Sequence, residues 1–179
     1  MKPLKEFTIP FVGLKLGKHH FEYEIDKAFF DYFEYEDFNN ATVLVNVVLE
    51  KKTTVLELHF KISGTINVNC DVTNESYNQI INNEFDLVVN FGNQYNDENI
   101  DILIIPHGEY EINIQQYIYE LIVLAIPNKR VHPGVVDGTL DSEILDKLEE
   151  LSPKITKEKK QQEDIDPRWD TLKKLLTDK

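Results

Sequence analysis

The chain reads as an α+β protein: an antiparallel β-meander packed on a central amphipathic helix, with short C-terminal helices. Three observations predict this. Ala41 to Glu50 and Thr53 to Ser63 are β-branched runs, and the second alternates apolar and polar residues with the period of two of a half-buried strand. Within Pro106 to Pro127, residues Ile114, Tyr117, Ile118, Leu121, Ile122 and Ala125 recur at the i, i+3, i+4, i+7 spacing of a helix. Strands come first and helices afterwards, which favours α+β over a βαβ repeat. At 179 residues and 41% hydrophobic content, the chain suffices for one core plus tails.

At the start, Phe7 and Ile9 alternate as a strand would, and Pro10 suits an edge position or a strand end. Lys18, His19 and His20 read as a solvated loop. Adjacent histidines on an extended segment face opposite ways and do not share one metal. Phe21 to Phe38 mixes aromatics with acids, and Asp26 to Tyr32 fits one or two helical turns. Two readings meet here. Glu22, Glu24, Glu34 and Glu36 could form an acidic docking face for a basic partner. The plainer reading, which periodicity favours, is a buried aromatic side and a wet charged side.

On the strand Thr53 to Ser63, Leu56, Leu58, Phe60 and Ile62 share one face, and Val55, Glu57, His59 and Lys61 share the other. His59 is then a surface histidine. Ser63-Gly64 is expected to turn the chain into a third strand, Thr65 to Cys70. Asp71 to Asn83 reads as loop or short helix anchored by Tyr77, Ile80 and Ile81. Glu84 to Phe91 is a fourth strand, Gly92 to Asn99 a polar loop, and Asp101 to Ile105 a short strand. The helix that follows takes Asn113 as N-cap and stops at Pro127. Val123, Leu124 and Ile126 make its last turn apolar nearly all round, so it should be sandwiched.

Beyond Pro127 come a basic loop at 128–134, a second loop at 135–139, and an amphipathic helix over Asp141 to Leu151. One domain at 1–151, a charged linker at 152–165 and a helix at 166–179 complete the expected organisation. Asp166 caps that last helix and Pro167 takes its first position. Trp169, Leu172, Leu175 and Leu176 line one side of it.

Charge and motifs exclude several function classes. The 32 acidic side chains outnumber 19 basic ones, for a formal charge of −13. That opposes a general electrostatic grip on phosphates or anionic lipid, so neither DNA nor a membrane is an expected partner. The longest apolar run, Leu121 to Pro127, is too short to span a bilayer. With one cysteine, Cys70, and no secretory pattern, the expected compartment is the cytoplasm. There is no Gly-rich phosphate loop, Walker lysine, HExxH or calcium loop. Cys70, His107 and His132 have no spacing that demands a metal. No catalytic residue, cofactor or metal is assigned, and an enzyme, such as a hydrolase with distant carboxylates, is the weaker reading. Two local basic patches are candidates for RNA or partner contact: Lys129, Arg130 and His132, and the C-terminal Arg168, Trp169, Lys173 and Lys174. Arginine beside tryptophan can neutralise phosphate and stack on a base. An interaction adaptor that docks through the acidic–aromatic face or the last helix is the alternative.

Three motifs, in order, resemble the bacterial YceD family, the large ribosomal RNA subunit accumulation proteins. They are Cys70-Asp71-Val72-Thr73, the stretch from Glu109 through Ile114 to Tyr119–Pro127, and Asp166-Pro167-Arg168-Trp169-x-x-Leu172. The resemblance implies a non-enzymatic role in ribosome biogenesis, supporting large-subunit rRNA synthesis, processing or accumulation. Its implied partners are large-subunit rRNA or the pre-ribosome, or a basic ribosomal protein. Many relatives carry a Cys-x-x-Cys and a second cysteine cluster after the Leu-Pro, which suggest a metal site. Here Thr73 replaces the second cysteine and the loop after Pro127 has none, so no metal is carried over.

Overall fold

The computed structural model describes residues 4–152. The linker from 153 onwards and the 166–179 helix, with Arg168, Trp169, Lys173 and Lys174, lie outside the described residues. Its six-stranded, mostly antiparallel sheet is built from β2 (Gly17–Asp26), β3 (Asn40–Lys51), β4 (Val55–Asn69), β5 (Ser76–Gly92), β6 (Asn96–Asn99) and β7 (Ile102–Pro106). The spatial order is β2-β3-β4-β5-β7-β6. Only β5 and β7 run parallel, pairing Val88 with Ile102 and Phe91 with Ile105. The chain leaves β5, lays β6 on the outer edge and returns between them as β7. A two-stranded ladder joins β1 (Thr8–Ile9) to β8 (Ile112–Asn113).

Alternation decides which face is core. Val43, Val45, Val47 and Leu49 of β3 and Leu56, Leu58, Phe60 and Ile62 of β4 are all buried. The opposite face of β4 is polar and holds cross-strand pairs: His59 with Asp86 and Lys61 with Glu84, each at 2.6 Å. Such exposed pairs favour register more than stability. Four short helices complete the described chain: α1 (Lys27–Asp31), α2 (Gln115–Ala125), α3 (Pro133–Val136) and α4 (Glu143–Leu151). None of them is long and apolar enough to cross a membrane. Contacts group the described residues up to Leu145 in one compact unit.

Several expectations change, among them the polar loop at Gly92 to Asn99, whose last four residues form β6, and the loop at 135–139, which α3 enters. Ser63-Gly64 is no turn: β4 runs straight through it, with Gly64 opposite Val43 on one side and Ile81 on the other. A Cβ at Gly64 would lie 2.7 Å from the Val43 Cα and closer still to the Thr42 carbonyl oxygen. Glycine stands here because the β3 backbone comes too near for any side chain. The polar stretch at 76–83 is not loop or helix but the first half of β5, paired residue by residue with β4. Lys18, His19 and His20 belong to β2 and pair with Glu50, Leu49 and Val48. Leu124, finally, is 78% exposed, so the last turn of α2 is open on one side rather than sandwiched.

At the other end of α2, Asn113 Oδ1 accepts the Gln115 N–H at 3.0 Å. The Gln115 side chain accepts the Leu4 N–H at 2.8 Å, and the Ile114 N–H reaches the Phe7 carbonyl at 2.9 Å. The N-terminal strap thereby satisfies backbone groups around the start of the helix. Ile118 and Ile122 face the sheet and are fully buried.

Candidate functional site

The basic loop is largely fastened down. Its Arg130 lies against Asp37: one guanidinium nitrogen donates to the Asp37 carbonyl at 2.9 Å and another pairs with the carboxylate. The backbone adds two bonds of 2.7 Å, from Arg130 N–H to the Asp71 carboxylate and from Asp71 N–H to the Arg130 carbonyl. That arginine side chain is only 20% exposed. Its hydrogen bond holds the Asp37 carboxyl below the usual range, although partial burial opposes this. His132 is also engaged. Its Nδ1 accepts the Gly134 N–H at 3.0 Å, and its ring meets Tyr77 edge-on at 5.3 Å. Lys129 alone of the three is exposed and makes no ion pair with another described residue.

Cys70 packs beneath this loop. It is buried, which raises its pKa, but N–H donors from His132, Thr73 and Val72 and the Thr73 hydroxyl lower it to about 7. The His132 N–H lies 3.3 Å from the sulfur. Among the described residues no group of three or more His, Cys, Asp or Glu side chains is placed to hold a metal ion. Thr73 and His132 use their polar groups on Cys70 and the local backbone.

The acidic candidates separate into two places. Glu22 and Glu24 project from the outer face of β2 and line a cleft with Tyr23, Phe29, Tyr32 and Asp26. Glu34 and Glu36 sit on the exposed turn after α1, with Glu34 in the left-handed region at φ 56°. The aromatics between them are spent on packing. Phe30 meets Phe38 edge-on at 4.8 Å, and Phe33 stacks on Tyr119 at 4.1 Å. The plainer reading of this stretch, aromatics inside and acids outside, describes that arrangement.

A second concave surface was not foreseen. It lies between the β6–β7 turn, the segment before β8 and the outer side of α2, and encloses about 570 Å³. Phe85, Leu103, Ile105 and Ile112 form part of its floor. At its mouth stand Ile100 and Leu124, 81% and 78% exposed. Asp97, Glu109, Glu111 and Glu120 complete the lining, and no lysine or arginine is among the described residues there. Tyr117 on its wall is pushed up to about 12, first by burial and then by Tyr95, Asp97 and Glu120. The only advance signal was the excess of apolar residues in the last turn of α2, which sequence alone assigns to packing.

A family model described as "Large ribosomal RNA subunit accumulation protein YceD" matches residues 58–176, about two thirds of the 179-residue chain. The chain belongs to the YceD family. The family's name implies a role in large-subunit rRNA accumulation and describes no enzyme. The matched part of this YceD protein holds Cys70, the basic loop and the whole groove beside α2, whereas β2 with Glu22 and Glu24 precedes it. No curated protein and no solved structure gives a significant match.

Proposed function

We propose that this YceD protein supports large-subunit rRNA accumulation by binding rather than catalysis, and that its described domain holds a basic protein, such as a ribosomal protein, rather than RNA. Charge carries this reading. Residues 4–152 contain 26 acidic and 10 basic side chains, and Arg130, half of the basic loop's permanent charge, is already neutralised by Asp37. A surface of that sign repels phosphate and attracts cationic protein segments. The second reading, direct rRNA contact, rests on Lys129 with Arg168, Trp169, Lys173 and Lys174. Residues 153–179 carry 8 basic and 6 acidic side chains, which gives that end of the chain the opposite sign.

Charge reversal separates the two. Glu109→Lys with Glu111→Lys, on the acidic side of the groove, is expected to weaken co-sedimentation with large-subunit precursor particles several-fold, since two repulsions replace two attractions. Lys129→Glu should leave it within error of wild type. The reverse pattern, with Lys129→Glu decisive and the glutamates indifferent, would give the contact to rRNA.

A further inference from the structure

We infer that the groove beside α2 is a docking site for a cationic polypeptide segment carrying apolar anchor side chains. This rests on the reading of a basic protein partner and names a surface and a chemistry for it. The floor is apolar and has the size of a pocket that buries one or two large side chains. Ile100 and Leu124 stand on opposite sides of the mouth, at the β6–β7 turn and the last turn of α2, both mostly exposed. They offer apolar contact area that the other described residues leave exposed. Asp97, Glu109, Glu111 and Glu120 surround that apolar surface without a single lysine or arginine among the described lining residues. An apolar floor with an anionic rim complements an amphipathic segment whose apolar side is flanked by lysines or arginines.

Other occupants fit less well. RNA and anionic lipid would set phosphates against four carboxylates. A second copy would bring another chain of charge −13 to the same acidic rim. A neutral apolar ligand would leave the rim without a role.

The test uses the full-length protein and a fluorescein-labelled synthetic helical peptide, with leucines at i, i+3, i+4 and i+7 and lysines between them. Leu124→Ser with Ile100→Ser removes apolar contact from residues that are already exposed, so the fold should survive, as a thermal melt would verify. Loss of two anchors is expected to weaken peptide binding by about tenfold or more. Glu109→Gln with Glu111→Gln and Glu120→Gln should weaken it comparably and flatten its dependence on salt. The inference fails if both sets bind the peptide as wild type does, or if only Glu22→Lys with Glu24→Lys disrupts binding. It fails equally if the wild-type protein is a dimer that Leu124→Ser with Ile100→Ser dissociates, or if a single-stranded RNA oligonucleotide binds the groove in preference to the peptide. Ribosome profiles of cells carrying the groove variants test the functional reading separately. Peptide binding lost as expected, with normal profiles, would keep the docking site and remove its role in rRNA accumulation. Depleted large subunits in cells lacking the protein, with a peptide that never binds, would do the opposite.

Discussion

Replacing Gly64 with alanine is expected to destabilise the domain by about 2 kcal/mol, a cost typical of overpacking a well-fitted interior. The added methyl would collide with the Thr42 carbonyl and the Val43 Cα, and backbone cannot rotate away as a side-chain tip can. Relief requires β3 and β4 to part where Val43 and Val45 on one strand and Ile62 and Ile66 on the other are buried. Alanine restricts the unfolded chain more than glycine does, which offsets about 0.4–1 kcal/mol; the clash outweighs it. For a chain of this size the midpoint of thermal unfolding should drop by about 4–8 °C. Valine at 64 should be worse. A melt no lower than wild type would mean that β3 and β4 do not approach as closely as described.

The second large effect is at Arg130. Arg130→Ala is expected to cost about 1–2 kcal/mol, the range for a charge-assisted hydrogen bond at a partly exposed site. It removes the bridge to Asp37 but leaves the backbone pair with Asp71. The loss should depend on pH. Because the folded-state pKa of Asp37 is depressed, the pair contributes fully above the ordinary carboxylate range and is lost as pH falls through the lowered value. Wild type and Arg130→Ala should therefore converge in stability at acidic pH, as urea titrations at several pH values would measure. Lys129→Glu should change stability little at any pH, being an exposed substitution. An Arg130 variant with wild-type stability and impaired RNA binding would return the basic loop to the role its composition suggests.

Where burial followed a strict alternation, the sequence could be read directly. Leu56, Leu58, Phe60 and Ile62 point inward and Glu57, His59 and Lys61 outward, as their pattern requires. The errors have physical causes. Asn78, Gln79, Asn82 and Asn83 are poor strand formers, yet β4 pairs with that whole segment and Asn67 donates to Asn78 at 2.8 Å. Tertiary pairing overrode propensity. Gly64 looked like punctuation because a close backbone approach leaves the same residue as a turn does. For the candidate sites, composition located the charges but not their partners. Arg130 is 93 residues from Asp37 and 59 from Asp71, so nothing local announced that it was engaged. The groove was hidden for the same reason, since its rim joins Asp97, Glu111 and Glu120 from three segments.

Support of large-subunit rRNA accumulation is tested most directly by sedimenting ribosomes from cells that lack the protein and quantifying the RNA in each fraction. The account predicts fewer large-subunit particles, or accumulation of unprocessed large-subunit precursor, with the small subunit in excess and wild-type protein restoring the profile. A normal profile with unchanged precursor levels would contradict it.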